Sequence, residues 1–122
     1  MPRFVLNHSK YKAVKTEYKG RKYDSKREAA YAAELDMLKN ARTGDKRVEE
    51  WTPQVRIPLI VRADSKPGKP VLVCHYVVDF AVTYGDGHME YHEVKGFETE
   101  VWKLKEKLFR ALYPDAVLKV VK

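Results

Sequence analysis

Cysteine is nearly absent from this chain of 122 residues. Cys74 stands alone, which excludes an internal disulfide framework and any zinc cage built from cysteines, and fits a reducing compartment. No apolar run approaches the roughly 18 residues that a transmembrane helix needs. The opening MPRFVLNHSKYK lacks the apolar core of a secretory signal. There is no repeat of useful period and no low-complexity block. A soluble, cytosolic protein is expected. What is present is 44% hydrophobic residues in about one domain's length, enough for one core of two packed layers.

The net charge of +7 is gathered at one end. Residues 1–27 carry Arg3, Lys10, Lys12, Lys15, Lys19, Arg21, Lys22, Lys26 and Arg27 against Glu17 and Asp24, and the remainder of the chain is neutral. Tyr11, Tyr18 and Tyr23 are interleaved with these cations. Basic residues mixed with aromatics form the electrostatic footprint of a nucleic-acid binder, while a solvated arm has the same composition. The tyrosines are the better candidates for stacking on bases. Trp51, Trp102 and Phe109 read as core or dimer contacts.

The order of elements is α+β. TEYKGRKY, residues 16–23, alternates weakly around Lys19-Gly20 and suits a short hairpin, so residues 1–23 form a basic arm and residues 24–122 a single domain. Ser25 precedes Glu28 by three, the capping-box spacing. The alanines that follow favour helix, with Tyr31, Leu35 and Leu38 on its buried face and Thr43-Gly44-Asp45 as its stop. Strand pattern runs from Val48 to Arg62 and from Val71 to Tyr84, separated by turn residues 64–70. Gly85-Asp86-Gly87 turns the chain into a strand from His88 to Lys95. A second helix spans Thr99 to Leu112, with Val101, Leu104, Leu108 and Leu112 inward, and a last strand spans Ala116 to Val121.

The even positions of 71–84, from Leu72 to Tyr84, are apolar or aromatic and read as one core face. Asp79 lies on the other face, in a run that otherwise suits burial, where an ionised group needs a partner or a cation. A three-residue loop at 85–87 pairs Tyr84 with His88 and sets Asp79 opposite Glu93. Opposed Cβ atoms lie roughly 4.5–5.5 Å apart, and like charges there destabilise a sheet. Lys95 shares the face of Glu93. Two close carboxylates beside a lysine suit a hard divalent cation such as Mg²⁺, which stabilises charge on phosphate and acidifies bound water. A surface Glu-Lys pair, worth about 0–1 kcal/mol, is the plainer reading. Capping alone accounts for Glu28, and His75 and His92 have no zinc-like partners.

Glu28, Asp79 and Glu93-Val94-Lys95, in this order of elements, resemble the PD-(D/E)XK nuclease superfamily with its restriction-endonuclease-like core of helix, three antiparallel strands, helix and strand. YDSKREAAYAAEL, YVVDF and EVKGFETEVWKLKEKLF are similar to small phage-encoded endonucleases related to Holliday-junction resolvases, including Thr99 and Lys105. Val78 stands where the superfamily carries a proline. The resemblance implies that Glu28, Asp79, Glu93 and the Val94 carbonyl hold Mg²⁺ or Mn²⁺, that Lys95 serves the attacking water, and that Lys103, Lys105 and the basic arm bind DNA phosphates. It implies a homodimer resolving four-way junctions in the cytoplasm of a phage's bacterial host. Other substrates (nicks, flaps, ends or a duplex sequence), a non-catalytic DNA-binding module and an RNA-binding protein remain open at this point.

Overall fold

A computed structural model describes residues 14–41, 44, 46–62 and 68–122. Lys10, Tyr11 and Lys12 of the basic arm, Thr43 and Asp45 of the expected helix stop, and residues 64–67 of the turn lie outside these.

Two short strands, β1 (Thr16–Tyr18) and β2 (Arg21–Tyr23), form the hairpin expected around Lys19-Gly20. Both turn residues have positive φ, 49° at Lys19 and 80° at Gly20. Helix α1 spans Lys26–Asn40; Ser25 caps it, its side chain accepting the Glu28 N–H at 3.1 Å. Only this half of a capping box is used, because the Glu28 carboxyl is turned to Asp79. The helix stops three residues short of Thr43, where Ala41 becomes extended.

Strand β3 (Val48–Val61) is antiparallel to β4 (Val71–Tyr84), and β4 to β5 (Met89–Val94). Helix α2 (Glu100–Leu112) leads to β6 (Leu118–Val121), which returns parallel to β5. The sheet order is β3-β4-β5-β6, with β1-β2 as a separate sheet. The chain is thus α+β, in the element order expected. Pro53 and Pro58 sit in β3, an edge strand, where a missing N–H is tolerated.

The helices lie on opposite faces of the sheet. Tyr91 and His92 are neighbours on β5, yet the Tyr91 ring meets Phe109 of α2 at 5.7 Å, whereas His92 bonds Tyr31 of α1. In β4, Phe80 packs on Tyr31 and Tyr76 packs on Phe109, each at 5.4 Å. A regular strand would put these two even positions on one face, so β4 turns over between them. The turn falls at Asp79. Across from it the β3–β4 pairing skips from Pro53↔Phe80 to Val55↔Val78, and the skipped Gln54 has φ 53°.

The single core face expected on β4 is therefore two cores. Phe80 and Val82 join Ala29, Ala32 and Leu35 beneath α1, while Tyr76 and Val78 join Trp102 and Phe109 beneath α2. Leu72 belongs to neither and is 52% exposed.

Three other expected core residues are also exposed. The buried stripe of α1 runs through residues 28, 29, 32 and 35, and Leu38 lies about 110° round the helix from its centre. On α2 the inward run is Trp102, Lys105, Glu106 and Phe109, with Leu108 and Leu112 on its flank. Val101 and Leu104 are 65% and 68% exposed, Leu104 on nearly the opposite side. Lys105 and Glu106, on the inward side, are half-buried.

The hairpin is docked on the domain. Tyr23 is buried in the α1 core, so the expected boundary at residue 24 cuts through packed structure. Asp36 accepts from the Tyr18 hydroxyl at 2.6 Å and from Trp51 Nε1 at 2.9 Å, and pairs with Lys19 at 3.1 Å. One carboxylate thereby ties β1 and β3 to α1. Arg21 donates to the Gln54 side chain, which donates to the Lys22 carbonyl.

Candidate metal centre

The Gly85-Asp86-Gly87 loop sets the register that brings the acids together. Tyr84 N–H donates to the His88 carbonyl and Gly87 N–H to the Tyr84 carbonyl, both at 2.9 Å, with Gly87 at φ 93°. The ladder runs Thr83↔Met89, Val82↔Glu90, Ala81↔Tyr91 and Phe80↔His92. One further step places Asp79 opposite Glu93, as the three-residue loop predicts. There the backbone ladder stops and side chains replace it. Asp79 N–H donates to Glu93 Oε1 at 3.3 Å, and Val94 N–H donates to Asp79 Oδ2 at 2.8 Å.

Glu28 enters from the first turn of α1. Its carboxyl lies within hydrogen-bonding reach of the Asp79 carboxyl, a contact that favours a proton on Glu28. Lys95 Nζ stands 3.5 Å from Glu93 Oε2. Its ammonium also lies over the Trp102 ring, 5.1 Å from the centroid. Glu28 and Glu93 are buried, Asp79 half-buried.

Each acid resists ionisation. Burial, with Asp79 beside it, pushes Glu28 up to about 8. Burial and the Asp79 charge push Glu93 up to about 7. Burial raises Asp79 to about 6, although the Val94 amide and Lys95 pull the other way. Three carboxyls thus share one lysine, with more negative charge than the protein neutralises.

The donor chemistry fits a hard divalent cation, which takes oxygen ligands and few carboxylates. No three of the described His, Cys, Asp and Glu side chains stand around a common point as a finished cage. Their oxygens are turned instead to the Asp79 and Val94 amides and to Lys95. Val94 sits between Glu93 and Lys95, with its N–H committed to Asp79.

The expected DNA-contacting cations are spread out. The Arg27 guanidinium lies beside Gly96, 3.6 Å from where a Cβ on that glycine would stand. Lys15, Lys22 and Lys26 are exposed, Lys105 is half-buried, and Lys103 pairs with Glu100 at 3.7 Å. Lys19 and Arg21 are engaged by Asp36 and Gln54. Tyr23 is buried, so its ring is not free to stack on a base as expected, and the half-buried Tyr18 has its hydroxyl bound to Asp36.

A second polar cluster has no counterpart among the expected site residues. Asp86, His88, Glu90 and His92 alternate along the chain. Glu90 accepts from His88 at 3.1 Å and from His92 at 2.9 Å, pairs with Lys119 at 3.2 Å, and His92 meets the Tyr31 hydroxyl at 2.7 Å. Burial alone would raise Glu90, but the bonds from His92, His88 and Lys119 outweigh it and hold it at about 2. The regular i, i+2 spacing is the signal that could have found this cluster. Trp102 beneath Lys95 has no such signal, because a loop and the first turn of α2 separate the two in the chain.

Among the described residues no helix is long and apolar enough to cross a membrane. No curated protein and no solved structure matches the chain. Residues 8–122 match the family described as "Protein of unknown function (DUF1064)", nearly the whole chain, and the protein belongs to that family.

Proposed function

We propose that this protein is a metal-dependent, structure-selective DNA endonuclease with a restriction-endonuclease-like core, which resolves four-way junctions by phosphodiester hydrolysis. The observation that carries the reading is the meeting of Glu28, Asp79, Glu93 and Lys95 at the point where β4 and β5 part. The acids come from three elements, and nothing in packing alone calls for three carboxyls with raised proton affinity beside one lysine.

Asp79, Glu93 and the Val94 carbonyl, with Glu28, would hold Mg²⁺ or Mn²⁺; such an ion, when bound, neutralises charge on the phosphate and lowers the pKa of water. Lys95 points a donor into the same space, where it orients the attacking water and offsets charge on the phosphorane. Arg27 beside Gly96 and exposed Lys103 offer cations for neighbouring phosphates. Contacts of that kind read backbone and shape rather than base sequence, and weaken steeply with salt. A four-way junction has two-fold symmetry, so paired cuts call for a homodimer with two sites.

The test is cleavage of a labelled four-way junction beside a matched linear duplex, with Mg²⁺ and with EDTA, for wild type and Lys95→Ala. Paired cuts in the junction alone, lost with EDTA and in the variant, are expected. Equal cutting of the duplex would move the function to a general nuclease. Tight binding of both without cutting would leave a DNA-binding module.

A further inference from the structure

We infer that Trp102 is a positioning residue whose indole face holds the Lys95 ammonium at the edge of the acid cluster, at the long limit of its pairing with Glu93, in the space where a substrate's water and phosphate would stand. This rests on the nuclease reading for its consequence and on geometry for its substance. Lys95 Nζ is 3.5 Å from Glu93 Oε2, whereas a full charge-assisted hydrogen bond closes to about 2.7–2.9 Å. Asp79 and Glu93 both attract this cation, and its flexible stem allows it to collapse onto them. The same ammonium lies over the Trp102 ring, 5.1 Å from Nζ to centroid, within range of a cation–π attraction.

The ring is itself fixed. Thr99 caps α2 by accepting the Trp102 N–H at 3.1 Å, which locks the helix turn carrying it. Trp102 is buried in the α2 core against Tyr76 and Phe109. Its Nε1 is buried and lies near the Tyr76 hydroxyl without closing a hydrogen bond to it. A buried indole ordinarily satisfies its N–H. Here that donor is unused, and the ring contributes volume and a face, which it turns to Lys95. The other cation–ring contact among the described residues, Lys19 over Tyr18, is on the distant hairpin.

Two variants separate face from volume. Trp102→Phe keeps an aromatic face, and Trp102→Leu keeps apolar bulk without one. In wild type the Lys95 ε-methylene protons should resonate upfield of the other lysines because of the ring current. That displacement should persist in part in Trp102→Phe and vanish in Trp102→Leu. In junction cleavage, kcat should fall about tenfold in Trp102→Leu, or about 1.4 kcal/mol, with KM within about twofold, and Trp102→Phe should recover most of it. Wild-type ε-protons at the ordinary lysine position would overturn the inference, whether or not the Leu variant folds. So would a Trp102→Leu protein with unchanged kcat. A wild type that cuts no DNA would remove the nuclease reading, and the ring-current comparison would still decide whether Trp102 holds Lys95.

Discussion

Replacing Glu28 by glutamine should make the protein more stable at neutral pH while abolishing its proposed activity. The reasoning follows the proton. Glu28 has an ordinary value of 4.5 and is pushed up to about 8 in the fold, burial being the larger cause and Asp79 the next. Below about pH 4.5 the acid is protonated in both folded and unfolded chains and costs nothing. Between about 4.5 and 8 the folded chain keeps a proton that the unfolded chain has released, so stability falls as pH rises through this window. At pH 7 the gap is about 2.5 pH units, or about 3 kcal/mol at about 1.4 kcal/mol per unit. Glutamine carries no such cost, and its amide can still donate to Asp79. With urea slopes of about 1–3 kcal/mol/M, Glu28→Gln should unfold about 1–3 M later than wild type at pH 7 in EDTA, and within error of it at pH 4.5. Millimolar Mg²⁺ or Mn²⁺ should narrow the gap by stabilising wild type alone. A variant no more stable than wild type at pH 7, or a wild type whose midpoint is flat from pH 5 to 8, would refute the crowding of charge at this site.

The second polar cluster should govern the acid side. Glu90 is held at about 2 by its histidine and lysine partners, so the stability it gives is complete above about pH 4.5 and is lost as pH falls towards 2, about 3 kcal/mol in all. Together with Glu28 this puts the wild-type maximum near pH 4.5–5 in EDTA, and an optimum at neutrality in a urea–pH survey would count against both assignments. Asp36→Ala strips partners from the Tyr18 hydroxyl, Trp51 Nε1 and Lys19. With two half-buried donors left unpaired, it should cost about 2–4 kcal/mol, read by urea unfolding, and a loss below about 1 kcal/mol would show the hairpin to be held by packing alone.

Much of the fold is legible in short-range chemistry. The loop at 85–87 carries glycine where φ is positive, and that local feature alone sets Asp79 against Glu93. Ser25 and Thr99 mark both helix starts. The turn-over of β4 at Asp79 is hidden because its even positions are apolar on both sides of the switch, and alternation cannot show which layer a residue meets. Gln54, opposite, adopts a positive φ without being glycine or asparagine, so it too gives no sign. Val101 and Leu104 look like core by residue type, yet Lys105 and Glu106 take the inward positions, a choice made by the sheet rather than by α2. The tyrosines of the basic stretch look available for stacking because Asp36 is 18 residues from Tyr18 and nothing local links them.

The change of faces in β4 has a mechanical consequence. The two hydrophobic cores lie in different layers and meet along a seam, and the carboxyls of Glu28, Asp79 and Glu93 stand on that seam. Glu28 belongs to the helix of one core, while Lys95, close by, rests on Trp102 of the other. A cation gripping these acids would act as a rivet through both layers. Its binding would therefore be felt as slower amide exchange in α1 and α2 alike.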